Sequence, residues 1–371
     1  MIWPQLHFLA HSPAARYIPR MFIIGLGTAT PPHRYRQQEC WTTLKNSARF
    51  GDMSLRAKAI MKKVLTGDNG IATRHLALEN LEHAFDLTPD ALHHRFLKNA
   101  PALATAAAER ALAGAKINPH EIDAVLISTC TGYLCPGLTS YTNERLGLRP
   151  DVLALDLVGQ GCGAALPNLQ AAQALVASGK YGRVLSICVE VCSACFFLDD
   201  DAGVLISACL FGDGAAAAVL SASANGGRRV KWKGGGALLK PADREFLRFE
   251  QKNGMLRNIL TPDVPALAAQ HCETVFADTL ARHQTARSQI SGWIFHPGGR
   301  DVLLALREKF QLSGDDVRRS ADVLREHGNM SSPSVLFVLQ AALADGAPGG
   351  LWWMSSFGAG FSCHGALLEV E

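Results

Sequence analysis

The chain has 371 residues, with 36 Lys and Arg against 33 Asp and Glu, for a formal charge of +3. Hydrophobic residues make up 48% and charged residues 19%, which supports a sizeable core and excludes a disordered chain. The near-balanced charge gives no basis for a nucleic-acid partner.

The ten cysteines are scattered without a disulfide framework or metal-ligand spacing, so they read as reduced thiols of a cytoplasmic protein, with no metal expected. No apolar run approaches the ~20 residues needed to span a bilayer. Residues 1–20 lack the continuous apolar run of a signal peptide and read as an N-terminal extension.

A strand begins at Met21, in MFIIGLGTATPP. Cys40 to Ile71 reads as helical and carries Lys58, Lys62 and Lys63 at one turn's spacing. Such a cluster is ordinarily a solvated face, and otherwise a site for a phosphate-bearing ligand. An alanine-rich helix from Ala102 to Ala115 precedes a buried strand, Ile122 to Ser128, which ends at Cys130, Thr131 and Gly132. A helix follows over Leu138–Leu146. Asp151 to Leu157 then reads as a buried strand, followed by a turn with Gly159, Gly161 and Gly163 around Cys162, and a helix from Ala164.

Further on, Arg183 to Val189 is a strand, and Asp199 to Asp201 read as a solvated loop. Phe211 to Leu220 reads as a strand, and the Gly-, Ser- and basic-rich stretch Ser221 to Gly236 as a boundary. The expected units are therefore 21–228 and 229–371.

The second half repeats the scheme of the first. A strand ending at His296 is followed by a turn and a helix, then by Asn329 and another helix. The interval from Cys130 to Cys162 nearly equals that from His296 to Asn329. A duplicated strand–helix unit accounts for this. Packing about a pseudo-two-fold axis would bring Cys162, His296 and Asn329 together.

Each of the three has an ordinary alternative: a buried thiol, a turn histidine and a helix cap. Together they suit acyl transfer. A strand-to-helix turn favours a thiolate, the imidazole takes its proton, and imidazole and amide stabilise an enolate or thioester oxygen.

The motifs CTGYLCPG at 130–137, GCG at 161–163, LFGDGAAA at 210–217, WIFHPGG at 293–299, GNMSSPS at 328–334 and SFGAGF at 356–361 stand together in one chain. In that combination the chain resembles the type III polyketide synthases, the chalcone-synthase-like ketosynthases. The resemblance implies an α/β thiolase-like fold with a duplicated five-layer αβαβα architecture. It implies that an acyl-CoA starter is loaded on Cys162 and extended with malonyl-CoA. Cyclisation would then give a resorcinol-, pyrone- or chalcone-type product, with His296 and Asn329 completing the catalytic set.

It further implies a gatekeeper at Phe211 and coenzyme A phosphate binding by Lys58 and Lys62. A product cavity is implied at Cys130, Thr131, Glu190, Cys192, Cys195, Phe249 and Ser331. Cys135 would cross a homodimer interface into the neighbour's cavity. No cofactor is implied beyond the coenzyme A thioester substrates. Two positions depart from the family pattern: Asn258 stands where a second gatekeeper phenylalanine is usual, and Ala359 replaces a proline. The competing readings are an initiating ketosynthase that uses a carrier protein and a non-catalytic partner subunit.

Overall fold

The computed structural model describes residues 20–371, so the expected N-terminal extension lies, up to residue 19, outside the described residues. The first half runs through β1 (Met21–Ala29), β2 (Arg34–Arg36), α1 (Gln37–Asn46), α2 (Ala48–Asp52), α3 (Leu55–Thr66), β3 (Thr73–His75) and α4 (Pro89–Ala115). It continues with β4 (Ala124–Ser128), α5 (Leu138–Leu146), β5 (Leu153–Leu157), α6 (Ala165–Ala177), β6 (Arg183–Glu190), α7 (Ala202–Leu210) and β7 (Gly214–Ser221). The second half has β8 (Val230–Leu239), the hairpin β9 (Leu247–Lys252) and β10 (Met255–Leu260), α8 (Val264–Arg282), β11 (Ile290–Phe295) and α9 (Arg300–Lys309). It ends with α10 (Gly314–His327), α11 (Ser334–Ala344), β12 (Gly350–Gly358) and β13 (Ser362–Val370).

Nine strands form one sheet in the order β11-β12-β13-β8-β1-β7-β6-β4-β5. It is two runs of the same topology joined edge to edge. β1-β7-β6-β4 pairs antiparallel, antiparallel and parallel, and β8-β13-β12-β11 repeats that sequence of pairings. The runs meet where Met21–Ile23 pairs with Val230–Trp232.

Helices fill the layers. α6 and α11 share one buried cluster with strands of both runs. α4 covers the outer face of the first run, and α8 and α9 that of the second. This is the five-layer thiolase-like arrangement. The alanines of α4 serve its close approach to β1, where a Cβ on Gly25 would lie 2.2 Å from the Ala111 carbonyl oxygen.

Several expectations are corrected. The helical stretch from Cys40 is broken into three helices, because Ser47 and Ser54 are extended and cap the next helix, accepting from Phe50 N and Ala57 N at 3.3 and 3.1 Å. β5 is not buried: Leu155 is 38% and the following Val158 60% exposed, since β5 is the open edge of the sheet. Asp199–Asp201 is the expected loop, with Asp200 and Asp201 exposed, but its side chains have partners. Asp201 caps α7 through Gly203 N and Val204 N, Asp200 accepts from Ser54 Oγ, and Asp199 pairs with Arg257 at 2.9 Å. Phe211 is not in a strand; it ends α7, and β7 begins at Gly214. The stretch read as a boundary includes the start of β8, which joins the central sheet because its alternate residues are buried.

Candidate active site

Cys162 sits in a single turn of 3-10 helix, Gly161–Gly163, directly before α6. Gly161 has φ +54°, a backbone shape that glycine adopts without penalty. α6 is pinned beneath the sheet by buried Asn168, which donates to Ser128 Oγ at 2.8 Å and to the Ile187 carbonyl at 3.0 Å. Ser186 Oγ donates back to its Oδ1. The nucleophile turn therefore rests on a fixed helix.

His296 follows β11, and its backbone N–H donates to the Ser355 carbonyl at 2.9 Å. Its ring packs edge-on to Phe357, with centroids 5.1 Å apart. The same end of β12 holds the cysteine turn, because Ser356 Oγ donates to the Gly163 carbonyl at 2.9 Å. Asn329 enters after Gly328, whose φ is +68°. Its Nδ2 donates to the Gly298 carbonyl at 3.0 Å, and its Oδ1 accepts from Ser331 N at 2.8 Å. Its backbone N–H and C=O bond Leu210 and Gly212, on either side of Phe211. Shared backbone partners thus gather the three turns.

The contact at sulfur differs from expectation. Ser331 Oγ, not His296, donates to Cys162 Sγ, at 3.2 Å. Ser331 is held at φ +61°, a strained setting of the kind that clusters at functional sites. Both ring nitrogens of His296 are buried without a hydrogen-bond partner. Burial pushes the Cys162 thiol up to about 12, opposed by the Ser331 hydrogen bond, and pushes His296 down to about 3. The resting pair is a neutral thiol and a neutral imidazole. The helix N-terminus expected to ionise the sulfur is outweighed by desolvation.

Beside Ser331, whose hydroxyl touches the sulfur, lies a narrow pocket of about 10 Å³, room for about one water molecule. Ser331, Phe211, Cys192 and Cys195 line it, together with Thr131, Phe196, Ser207, Ala208, Phe249 and Asn258. Behind it, Glu190 is fully buried and accepts from Thr131 Oγ1 at 2.8 Å, Cys130 N at 3.0 Å and Ser332 Oγ at 2.5 Å. Cys130 Sγ reaches the same carboxylate at 3.3 Å. Burial raises the Glu190 pKa against these hydrogen bonds.

Cys130, Thr131 and Phe249 also line a wider groove that opens to the surface beside Tyr133 and Val158. Cys135 is exposed and stands away from this chain's own cavity. Lys58 and Lys62 stay on the outer face of α3, where Lys58 Nζ donates to the Gly51 carbonyl at 3.2 Å. Asp213 escaped the sequence reading. Buried among Ser193 N, Ser193 Oγ and Ala77 N, it fixes the Cys192–Cys195 turn against the cavity; its signal was the motif LFGDGAAA.

A duplicated thiolase-like fold with a nucleophile turn close to a narrow pocket lined by apolar, thiol and hydroxyl side chains defines an acyl-condensing transferase. The model of the FAE1/type III polyketide synthase-like family matches residues 26–236, and that of the chalcone and stilbene synthase C-terminal domain matches 244–368. The chain belongs to the type III polyketide synthases.

Among curated relatives, the 3,5-dihydroxyphenylacetyl-CoA synthase of Streptomyces toyocaensis is 28% identical, over 95% of this chain and 90% of that protein. The alpha-pyrone synthesis polyketide synthase-like Pks18 of Mycobacterium tuberculosis is also 28% identical, over 98% and 94%. Among solved structures, PKS-I from the brown alga Ectocarpus siliculosus superposes with a TM-score of 0.86 at 26% identity, covering 94% of this chain and 98% of that one. Membership selects the polyketide synthase reading over the initiating ketosynthase.

Proposed function

We propose that this synthase loads an acyl-CoA starter on Cys162, extends it with malonyl-CoA and cyclises the chain to a resorcinol- or pyrone-type product. The observation that carries this is the end of β12, which holds the Cys162 turn and His296 together beside the cavity. In the first step the Cys162 proton passes to His296 and the thiolate attacks the starter thioester, expelling coenzyme A as its thiolate. A lone buried thiolate is heavily penalised, whereas a thiolate–imidazolium pair is net neutral and escapes much of that cost.

Malonyl-CoA then loses carbon dioxide, leaving its electron pair as an enolate. In this reading the enolate oxygen accepts from the His296 N–H and from the Asn329 Nδ2 proton not given to the Gly298 carbonyl. The enolate carbon attacks the Cys162 thioester and expels the sulfur, and thiol exchange returns the lengthened chain to Cys162. Phe211, which packs against Cys162, is assigned the gatekeeper role, and Lys58 and Lys62 on α3 are assigned to the coenzyme A phosphates.

The names of the two curated relatives support the product class. Incubation with acyl-CoAs from acetyl to lauroyl plus malonyl-CoA, without carrier protein, is expected to give polyketide masses and an acyl adduct on Cys162. Cys162→Ala should abolish both. Product formation that depends on an acyl carrier protein would overturn the assignment.

The division at 228/229 is kept because each half carries its own run of the sheet. The working form is a cytoplasmic homodimer built on β5. That strand is an open sheet edge, braced by Thr139 Oγ1 donating to Asp156 at 2.5 Å, and flanked by exposed Tyr133 and Val158. Unpaired apolar edges of this kind mark association surfaces. A second copy there would bring its Cys135 loop to the open side of the groove at Thr131 and Gly132. Leu155→Lys is expected to yield monomers in analytical ultracentrifugation and to lower activity at least tenfold. An unchanged sedimentation coefficient would remove β5 from the interface.

A further inference from the structure

We propose that Asn258 is a specificity-determining residue that hydrogen-bonds a ketone oxygen of the elongating poly-β-keto chain and so sets how far the chain is extended. This rests on the polyketide synthase reading above. Asn258 is on β10, opposite Phe249 of β9, and is only 5% exposed. Its Oδ1 is buried without a partner, and its amide makes no hydrogen bond among the described residues. It lines the cavity together with Ser331, whose hydroxyl touches the Cys162 sulfur.

A buried amide oxygen left unpaired is costly, and such groups in a folded chain call for a partner from outside it. Its neighbours hold it still. Arg257 is tied to Asp199 at 2.9 Å, and Ile259 packs into a cluster with Phe197 and Val204. The amide is thus presented from a rigid hairpin with its hydrogen-bonding capacity unused.

The chemistry of the occupant follows from the donor. Asn258 is neutral, so it gives no charge match to a carboxylate or a phosphate. A saturated starter offers it no partner beyond the thioester. A poly-β-keto chain offers a carbonyl at every second carbon, and the first of these arises only after an extension. The Nδ2–H donates to such an oxygen, and the Oδ1 accepts from its enol form. An amide here therefore favours retention of extended chains over early release, without influencing loading.

The test uses the full-length enzyme, with malonyl-CoA and the acyl-CoA that the wild type consumes fastest between acetyl and lauroyl. Asn258→Leu keeps the approximate volume and removes both hydrogen-bonding atoms. Asn258→Asp keeps the shape and, when ionised, cannot donate. Both are expected to shift product masses at least fivefold toward the shorter polyketides, each distribution being normalised to the Cys162 acylation rate of the same variant. The melting temperature of Asn258→Leu should equal or exceed wild type, because an unpaired buried amide is gone.

An unchanged product distribution in Asn258→Leu overturns the proposal. So does an equal loss of all products through a raised KM for malonyl-CoA, which would assign the amide to the extender. Failure of the wild type to form any polyketide would instead sink the function itself.

Discussion

His296→Ala is expected to lower kcat/KM for polyketide formation by at least about a thousandfold, the combined scale of losing a general base and one enolate donor. It should also slow alkylation of Cys162 by iodoacetamide at pH 7 about tenfold or more, the scale expected when a thiolate loses its paired base. Burial pushes the Cys162 thiol up to about 12, and the hydrogen bond it receives from Ser331 does not offset that. Ionisation at neutral pH needs a proton acceptor close by, and the pair must remain net neutral.

With His296 gone, the only route is loss of the proton to solvent. The alkylation rate of His296→Ala should therefore keep rising through pH 9 and above, where the wild type levels off. His296→Gln retains a donor but not a base, so it should recover part of the decarboxylation of malonyl-CoA and none of the alkylation. Wild-type alkylation kinetics in His296→Ala would remove the histidine from the loading step.

Gly358→Ala is the second large effect. A Cβ at this position would stand 2.4 Å from Gly163 N, 2.5 Å from the Gln160 carbonyl oxygen and 3.0 Å from Cys162 N. All three are backbone atoms of the nucleophile turn, so no side chain swings aside to relieve the contact. The turn itself has to shift, at a cost of about 1–3 kcal/mol for overpacking. A sulfur displaced by an ångström from its reacting geometry loses about a hundredfold in rate. Gly51→Ala is the control: it lies on exposed α2 with nothing within 4 Å of the added carbon. There the expected change is a gain of about 0.5–1 kcal/mol. Calorimetry and malonyl-CoA turnover on both variants check this, and full activity in Gly358→Ala would mean that the β12 end does not position Cys162.

Much of the site is local in origin, which is why it was legible. Glycines around Cys162, the strand-to-helix switch on each side of it, and the matching interval in the second half are patterns of neighbouring residues. They determined the duplicated architecture and pointed to the three residues proposed to carry the chemistry. The FGAG loop was visible as a motif, though its task of holding both the cysteine turn and His296 was not.

Tertiary structure alone decided the rest. Whether β5 is interior or edge depends on what pairs beside it, and its alternating residues look the same either way. What Asp199 and Asp200 bond depends on Arg257 and Ser54, which are distant along the chain. The upward push of burial on the Cys162 thiol has the same origin. A helix terminus is written in adjacent residues, while desolvation is the sum of every segment packed around the sulfur. That Ser331 rather than His296 touches the thiol is likewise set by packing across residues far apart in sequence, which no local periodicity encodes.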